Sequence, residues 1–371
     1  MKVAILGYGT VGQGVFEMIC SSSFLEAGAV LVRPGKKNRD FQVTDIDEIT
    51  EDGSTDCVVE CIGGTDDAYG FVKSCLEAGK HVVTSNKALV TSYGTELAEL
   101  ARSKGVGFLF SAACGGAVPV LHNISVAKQT DSVLSAGGIL NGTVNFILSN
   151  LKSGKFTDYG SALCEARRLG YAEADPSADV SGLDTLRKVM LISAVAFGKL
   201  PVKGTCCEGI ENYDVFAGCK YGTGEDSAFS DCCVKLIGRC GLNADGSVYT
   251  YVEPCIVKPS SVFAGVNQNF NFAFYDGKNC GRIGLSGQGA GRYPTASAVL
   301  RDLTALAQGQ REMLGECSQV CADNSKVIHR YVVCEDSKCR ITDVISVTEM
   351  HEKIRELRKK GGKVFFAAIE E

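Results

Sequence analysis

The sequence predicts an α/β protein in two parts. A doubly wound parallel sheet comes first, and an α+β part with a mainly antiparallel sheet follows. Three observations predict this. Over residues 1–130, short apolar runs alternate with stretches of helical period, the pattern of a parallel sheet covered by helices. A glycine turn, Gly7-Tyr8-Gly9-Thr10-Val11-Gly12, follows the first apolar run directly. From Asp131 onward the chain turns to longer strand-like runs and glycine-rich connections.

The run 3–6 reads as the first strand, and Val11, Val15, Met18 and Ile19 then recur at helical spacing. Strand, GxGxxG, helix is the dinucleotide-binding arrangement. Gly7 permits a tight turn, Gly9 lets a pyrophosphate approach the backbone, and Gly12 lets helix and strand pack closely. Thr10 and Val11 open the helix, where unpaired N–H groups and the helix dipole favour an anion. Runs 29–32, 57–62, 81–84 and 107–110 read as further strands, and 71–78 and 96–104 as helices. In such sheets, of the Rossmann type, ligands sit beyond the carboxyl ends of the strands. Lys87 lies just past one of these ends, as a solvated loop charge or as a group facing a ligand.

The end of the second strand bears on the choice of cofactor. Sites specific for NAD carry an acid there that bonds the ribose 2′-hydroxyl. Here the stretch is Val30-Leu31-Val32-Arg33-Pro34-Gly35-Lys36-Lys37, with no acid. An arginine can grip a 2′-phosphate with paired hydrogen bonds, and lysines add point charge. Arg33, Lys36 and Lys37 therefore predict NADP(H) over NAD(H), against the plainer reading of a basic surface loop.

In the second part, 132–140 reads as a strand, and Asn141-Gly142-Thr143-Val144-Asn145 as a turn that opens a helix. Thr143 is placed to be an N-cap. The stretch 170–188, GYAEADPSADVSGLDTLRK, gathers Glu173, Asp175, Asp179 and Asp184 ahead of Lys188. The helix that follows is apolar on nearly every face, so it is buried. Asp184 and Lys188, four apart, share one of its faces. Burying that pair costs several kcal/mol unless both groups are paired and hydrogen-bonded. It is a structural ion pair or part of a polar substrate pocket, and the acids upstream favour the pocket. Residues 206–280, including YGTGEDS, read as the rest of an antiparallel sheet and a subunit interface. After about residue 330 there is a short coda of strand, helix and strand.

The totals exclude several classes. The chain has 371 residues, 45% of them hydrophobic and 22% charged, with a net charge of −5. That charge argues against a nucleic-acid or anionic-membrane surface. No apolar run reaches the roughly 18 residues of a spanning helix. The opening residues read as a strand, not as a leader peptide. The 18 cysteines scatter through apolar runs without a CxxC pair. Cys57/Cys61 and Cys317/Cys321 have i,i+4 spacing, but neither has a histidine or second cysteine pair nearby to complete a zinc site. Reduced thiols in a cytoplasmic protein follow.

The stretch 170–188 also resembles the substrate segment of the homoserine dehydrogenases, GYxExDPxxDxxGxDxxxK, with every fixed position matched. Further stretches resemble that family in the same order, over residues 1 to about 330. Glu60-Cys61-Ile62-Gly63-Gly64-Thr65 is similar to its glycine turn beside the nicotinamide. Thr84-Ser85-Asn86-Lys87 is similar to a loop whose lysine faces the substrate. Asn141 to Asn145 match its NGTxN motif, which makes Thr143 and Gly142 substrate contacts. The segment through Gly289 and Asp302 resembles GxGAGxxPTASAVxxD, a helix that returns to the first domain over the nicotinamide. The turn 111–119 resembles EAxVGGGxP, which can hold Na+ or K+ on backbone carbonyls near Ser111, Cys114 and Ala117. Ser111 and Cys114 depart from the usual acid and valine, and the loss of the acid weakens the case for an ion here.

The resemblance implies an NAD(P)-dependent homodimeric enzyme interconverting L-aspartate 4-semialdehyde and L-homoserine on the route to threonine and methionine. It implies catalysis by Lys188, Asp184 and Lys87. Glu173, Asp179, Thr143, Tyr171 and Gly142 would bind substrate. The glycine turn, Gly63, Gly64, Thr84, Ser85, Lys87 and Gly289 would face the cofactor. The expected domains are 1–130 with the returning segment 286–330, then 131–285 for substrate and dimerisation, then the coda 331–371. That coda is short for the ligand-sensing ACT domain of some members, so weak or absent threonine inhibition is expected. Two rivals remain: a cofactor-binding sensor without turnover, and a dehydrogenase of another amino-acid semialdehyde.

Overall fold

The structure, a computed structural model, describes residues 1–173, 175–216, 229–335 and 338–370. YGTGEDS and Ala174 lie outside the described residues. Chain contacts divide the protein into two units. Unit 1 is Met1–Thr130, Ala194–Leu200 and Gln288–Ser318; unit 2 is Asp131–Ser193, Pro201–Gly287 and Gln319–Glu371.

Unit 1 is the parallel sheet. Its strands are β1 (Lys2–Leu6), β2 (Glu26–Leu31), β3 (Gln42–Val43), β4 (Cys57–Glu60), β5 (His81–Thr84) and β6 (Phe108–Leu109), in the order β3-β2-β1-β4-β5-β6. Every neighbouring pair is parallel. Val3, Ala4, Ile5 and Leu6 are fully buried, as are Cys57, Val58 and Val59, so these strands read as continuous apolar runs without alternation. Helices α1 (Thr10–Cys20), α2 (Asp66–Glu77) and α3 (Lys87–Ser103) make the crossovers. α3 begins at Lys87, nine residues before the predicted start, because the Asn86 side chain caps it by accepting from Leu89 N–H at 3.1 Å. The returning helix Arg292–Ala307 lies against α1. A side chain at Gly14 would come within 2.8 Å of Arg292 and 3.4 Å of Ala296, so that contact needs small residues.

Unit 2 is built on a mixed, mostly antiparallel sheet. Its core is β7 (Val133–Ile139), β8 (Cys233–Leu242), β9 (Val248–Val257), β10 (Phe270–Gly277) and β11 (Gly281–Gln288), in the order β11-β10-β7-β8-β9. The β8–β9 ladder runs without a slip from Cys233↔Val257 to Leu242↔Val248. Helices α4 (Gly142–Lys152) and α5 (Leu183–Phe197) carry the polar residues of interest. A side chain at Gly238 of β8 would meet Val189 at 2.4 Å and Thr185 at 2.9 Å, which brings α5 close onto the sheet. As its sequence requires, α5 buries most of its faces: Val189, Leu191, Ile192 and Val195 are at most 1% exposed.

The residues set apart as a coda are continuous with this sheet. The strand Val364–Ile369 lies parallel to β9, Tyr331–Glu335 is antiparallel to it, and Lys338–Ile341 forms the edge. The helix Val347–Lys359 starts with a capping box between Ser346 and Glu349. It buries Met350 and Ile354 in a cluster with Ile237, Phe263, Phe274 and Phe366. The fully buried Glu253 of β9 accepts from Tyr331 Oη at 3.3 Å and meets His351 Nε2 at 3.3 Å. The long-range pairing of Val364–Ile369 with β9 is what a reading of local pattern does not reveal.

One reading of the thiols is corrected. Fifteen described cysteines form no disulfide, but Cys334 and Cys339, directly opposite across the Tyr331–Glu335 and Lys338–Ile341 strands, are disulfide-bonded. Among the described residues no group of three or more His, Cys, Asp or Glu could hold a metal ion. No described helix is long and apolar enough to cross a membrane.

Candidate active site

In unit 1 the polar features collect at the carboxyl ends of β1, β4 and β5. Gly7 has φ +97°, and a side chain there would sit 2.9 Å from the Cys61 carbonyl oxygen. A side chain at Gly12 would sit 2.1 Å from Gly7 O, while nothing approaches Gly9 within 4 Å. The turn is thus closed beneath and open above. Gly9 gives no side-chain cap to α1, so the donors at the start of that helix suit an anion.

The neighbouring loops are joined by a buried carboxylate. Glu60, fully buried at the end of β4, accepts from Ile62 N–H at 2.7 Å, from Gly63 N–H at 3.3 Å and from the Thr84 hydroxyl. Thr84 Oγ1 accepts from Asn86 N–H at 2.9 Å, and Asn86 Nδ2 donates to Gly64 O at 2.6 Å. Ser85 N–H donates to Glu60 O at 3.2 Å. Gly63 and Gly64, at φ +79° and +75°, complete the loop, and Lys87 stands in the first turn of α3. The Cys61 thiol is pushed up to about 12, by burial first and then by Glu60. It is therefore no activated nucleophile of the kind a phosphorylating semialdehyde dehydrogenase needs.

Arg33, Lys36 and Lys37 are exposed on a 3-10 turn, Pro34–Lys36, just after β2. Gly7 N–H donates to Leu31 O at 3.0 Å, so the cationic turn leaves the sheet beside the glycine turn. Arg39, which the sequence reading passed over, is a further exposed cation nearby, with its guanidinium 5.9 Å from the Phe41 ring.

The turn 111–119 is held by the returning helix. Asp302 Oδ2 accepts from Ser111 N–H at 2.7 Å, and Arg301 Nη2 donates to Ala117 O at 3.1 Å. Gly116, at φ +54°, would bring a side chain within 2.6 Å of Gly289. Ser111 supplies no acid, its carbonyl accepts from Cys114 N–H at 3.3 Å, and the Ala117 carbonyl already receives a guanidinium.

In unit 2 Asp179, Asp184 and Lys188 come together around Leu140 and Asn141, while Glu173 and Asp175 are exposed. Lys188 Nζ lies 2.8 Å from Asp184 Oδ2 and donates to Leu140 O at 2.7 Å. The lysine is 8% exposed and the aspartate 5%. Asn141 Nδ2 donates to Asp184 Oδ2 at 2.8 Å and to Asp179 Oδ1 at 2.7 Å. Asn271 Nδ2 donates to the same Leu140 O at 2.9 Å. The N-cap of α4 is Asn141, accepting from Val144 N–H at 2.8 Å, so Thr143 is not the cap. The Thr143 hydroxyl instead donates to Tyr171 O at 2.6 Å and ties α4 to the acidic segment. A side chain at Gly142 would lie 2.7 Å from Asn269 O. Tyr171 and Glu173 are exposed, with the Tyr171 ring 5.1 Å from Phe146. Asn141 and Asn271 went unnoticed as site residues. The sequence signals for Asn141 were its place between a strand and a helix, which marks a cap, and its position at the head of the NGTxN motif.

A dinucleotide turn at the end of β1 and a buried lysine–carboxylate pair in a second unit define an NAD(P)-dependent oxidoreductase. The family models described as "Homoserine dehydrogenase, NAD binding domain" and "Homoserine dehydrogenase" match residues 7–111 and 119–304. A homoserine dehydrogenase of Corynebacterium glutamicum is 36% identical over 328 residues, 83% of this chain and 72% of the relative. One of Bacillus subtilis is 32% identical over 331 residues, 84% of this chain and 74% of the relative. The crystal structure of a homoserine dehydrogenase from Thiobacillus denitrificans superposes with a TM-score of 0.82 at 26% identity, covering 100% of this chain and 98% of that one. This chain belongs to the homoserine dehydrogenase family. Its reaction interconverts L-aspartate 4-semialdehyde and L-homoserine, which sets aside the sensor and the dehydrogenase of a different semialdehyde.

Proposed function

We propose that Lys188 is the proton donor to the semialdehyde oxygen, that Asp184 holds it, and that Lys87 is the second catalytic lysine. The observation that carries this is the buried Asp184–Lys188 pair at 2.8 Å. Reduction adds a hydride to the aldehyde carbon and a proton to its oxygen; the nicotinamide supplies the hydride when bound. The chain's task is to orient the carbonyl, withdraw charge from its oxygen and deliver the proton. An ammonium held by one carboxylate and one carbonyl is fixed in position for that delivery. Glu173 and Thr143 would receive the substrate's ammonium, with Asp179 completing the polar wall and Gly142 and Tyr171 lining it. Gly7, Gly9, Gly12, Gly63, Gly64, Thr84, Ser85 and Gly289 would face the cofactor, and Thr10 and Val11 its pyrophosphate.

NADP(H) is the preferred cofactor in this reading, held by Arg33 first and by Lys36 or Lys37 second. The protein would work as a cytoplasmic homodimer. Fifteen of the seventeen described cysteines stand outside any disulfide, which suits a reducing compartment. The exposed apolar Ile328 and Val344, at one hollow of unit 2, suit a partner surface. The test is NADPH oxidation with aspartate semialdehyde, run beside other aldehydes and repeated with Lys188→Ala. Faster turnover of another aldehyde, or undiminished kcat in the variant, would refute these roles.

A further inference from the structure

We propose that Asn141 is a positioning residue for proton transfer, and that its amide sets the geometry and charge state of the Asp184–Lys188 pair. The inference rests on Lys188 acting as the proton donor.

As a helix cap, Asn141 needs only its oxygen. Oδ1 accepts from Val144 N–H at 2.8 Å, and Asp, Ser or Thr could do the same. The other half of the side chain is not explained by capping. Asn141 is 5% exposed, and its Nδ2 donates to two carboxylates, Asp179 Oδ1 at 2.7 Å and Asp184 Oδ2 at 2.8 Å. Only an amide offers a capping acceptor and two donors from one short side chain. Aspartate would cap but would place a third carboxylate against two others. Serine would cap with one donor at most.

The two bridged acids are not equivalent. Asp184 Oδ2 is the oxygen that meets Lys188 Nζ, so it takes one bond from the lysine and one from Asn141. The lysine also donates to Leu140 O, the residue just before Asn141. Asn271 shares that carbonyl. The dipeptide Leu140–Asn141, at the end of β7, therefore grips the lysine by a carbonyl and the acid by an amide. A shift of this strand end moves both groups together. The charged groups joined in the network are Asp179, Asp184 and Lys188, from the helix Ser177–Val180 and from α5; Leu140, Asn141 and Asn271 contribute neutral groups. Donation from Asn141 favours the ionised form of both acids and screens them from one another.

The test is the pH dependence of kcat for reduction of aspartate semialdehyde by NADPH, in wild type, Asn141→Asp, Asn141→Ser and Lys188→Ala. Asn141→Asp keeps the cap and the side-chain size. It should lower kcat about tenfold to a hundredfold, within the range of general acid catalysis. An added carboxylate holds protons on its neighbours, so the alkaline limb of the profile should move up by about one pH unit. The KM for NADPH should change less than about twofold, as expected for a group acting in the transition state and away from the cofactor. Asn141→Ser, which adds no charge, should lower kcat with a smaller displacement; it also serves if the aspartate variant fails to fold. Wild-type kcat in both variants would overturn the inference. So would a lower kcat with an unmoved profile, the result of a merely disturbed helix end. Lys188→Ala separates the two layers. If it is crippled while the Asn141 variants match wild type, only this inference fails; if it retains full kcat, the role of Lys188 fails as well.

Discussion

The hydroxyl of Thr84, at the end of β5, donates to the buried carboxylate of Glu60, at the end of the adjacent β4. The same hydroxyl accepts from Asn86 N–H, and Asn86 returns a bond to Gly64 O, so the two loops close on each other. Thr84→Val keeps the shape and removes the link. It leaves a buried acceptor with one donor fewer, at a cost of about 1–3 kcal/mol. We expect a lower Tm and weaker NADPH binding, by about tenfold if some 1.4 kcal/mol of the loss falls on the bound state. Fluorescence titration with NADPH measures this. Unchanged affinity in a destabilised variant would mean that the network supports only the fold.

The Asp184–Lys188 pair should behave as one unit. Lys188→Ala leaves a buried carboxylate without its cation, and Asp184→Asn leaves the lysine without its anchor. Each should lower kcat by about 100-fold or more, and the double variant should be little worse than either single one. Additive losses in single-turnover experiments would show that the two residues act separately. Cofactor affinity should stay close to wild type in all three.

Asp302 predicts a pH dependence of stability rather than of rate. It is fully buried, and burial pushes its carboxyl up to about 7, opposed by the Ser111 bonds and by Arg301. Its Oδ1 has no hydrogen-bond partner among the described residues. Between pH 4 and 7 the folded chain keeps a proton that the unfolded chain has lost. The folded state then binds more protons, so stability falls as pH rises through this window and levels off above it. The change is about 4 kcal/mol at most, from the size of the shift. Asp302→Asn can still accept from Ser111 N–H but cannot titrate. Denaturation between pH 5 and 8.5 should show a shallower decline for the variant. Parallel declines would mean that Asp302 is ionised throughout.

Much of this was legible in the chain because it is local. Continuous apolar runs, the glycine turn and the i,i+4 pair Asp184/Lys188 depend on neighbours in sequence, and their partners lie nearby. What escaped depends on distant pairings. Glu60 looks like one polar residue ending an apolar strand until Thr84 is brought beside it by the register of β4 and β5. Asn141 looks like a cap until Asp179 and Asp184 arrive from 38 and 43 residues away. The C-terminal strands read as an appendage because nothing local announces that Val364–Ile369 pairs with β9. On local pattern Thr143 and Asn141, two residues apart, are equal candidates for the cap, and only the bond from Val144 N–H assigns it to Asn141.

The cofactor preference turns on Arg33. It stands two residues beyond β2, exposed, with Lys36 and Lys37 on the same short turn and no acid between Val30 and Lys37. An acid at this place would bond a ribose 2′-hydroxyl and repel a 2′-phosphate; a guanidinium does the reverse. An exposed arginine–phosphate contact is screened by salt, so the preference should weaken as ionic strength rises. We expect NADP(H) to bind more tightly than NAD(H), and Arg33→Ala to weaken NADP(H) by about tenfold, the worth of one charge-assisted hydrogen bond, with NAD(H) almost unchanged. Lys36→Ala and Lys37→Ala should do less, because a point charge lacks the paired geometry. Arg39, over the Phe41 ring, is the cation most able to compensate, so Arg33→Ala/Arg39→Ala should discriminate still less between the cofactors. Tight binding and fast turnover can part company, since a phosphate held too firmly slows release; affinity must therefore be measured at equilibrium. Equal affinities for the two cofactors in wild type, or equal losses for both in Arg33→Ala, would remove the 2′-phosphate from this turn.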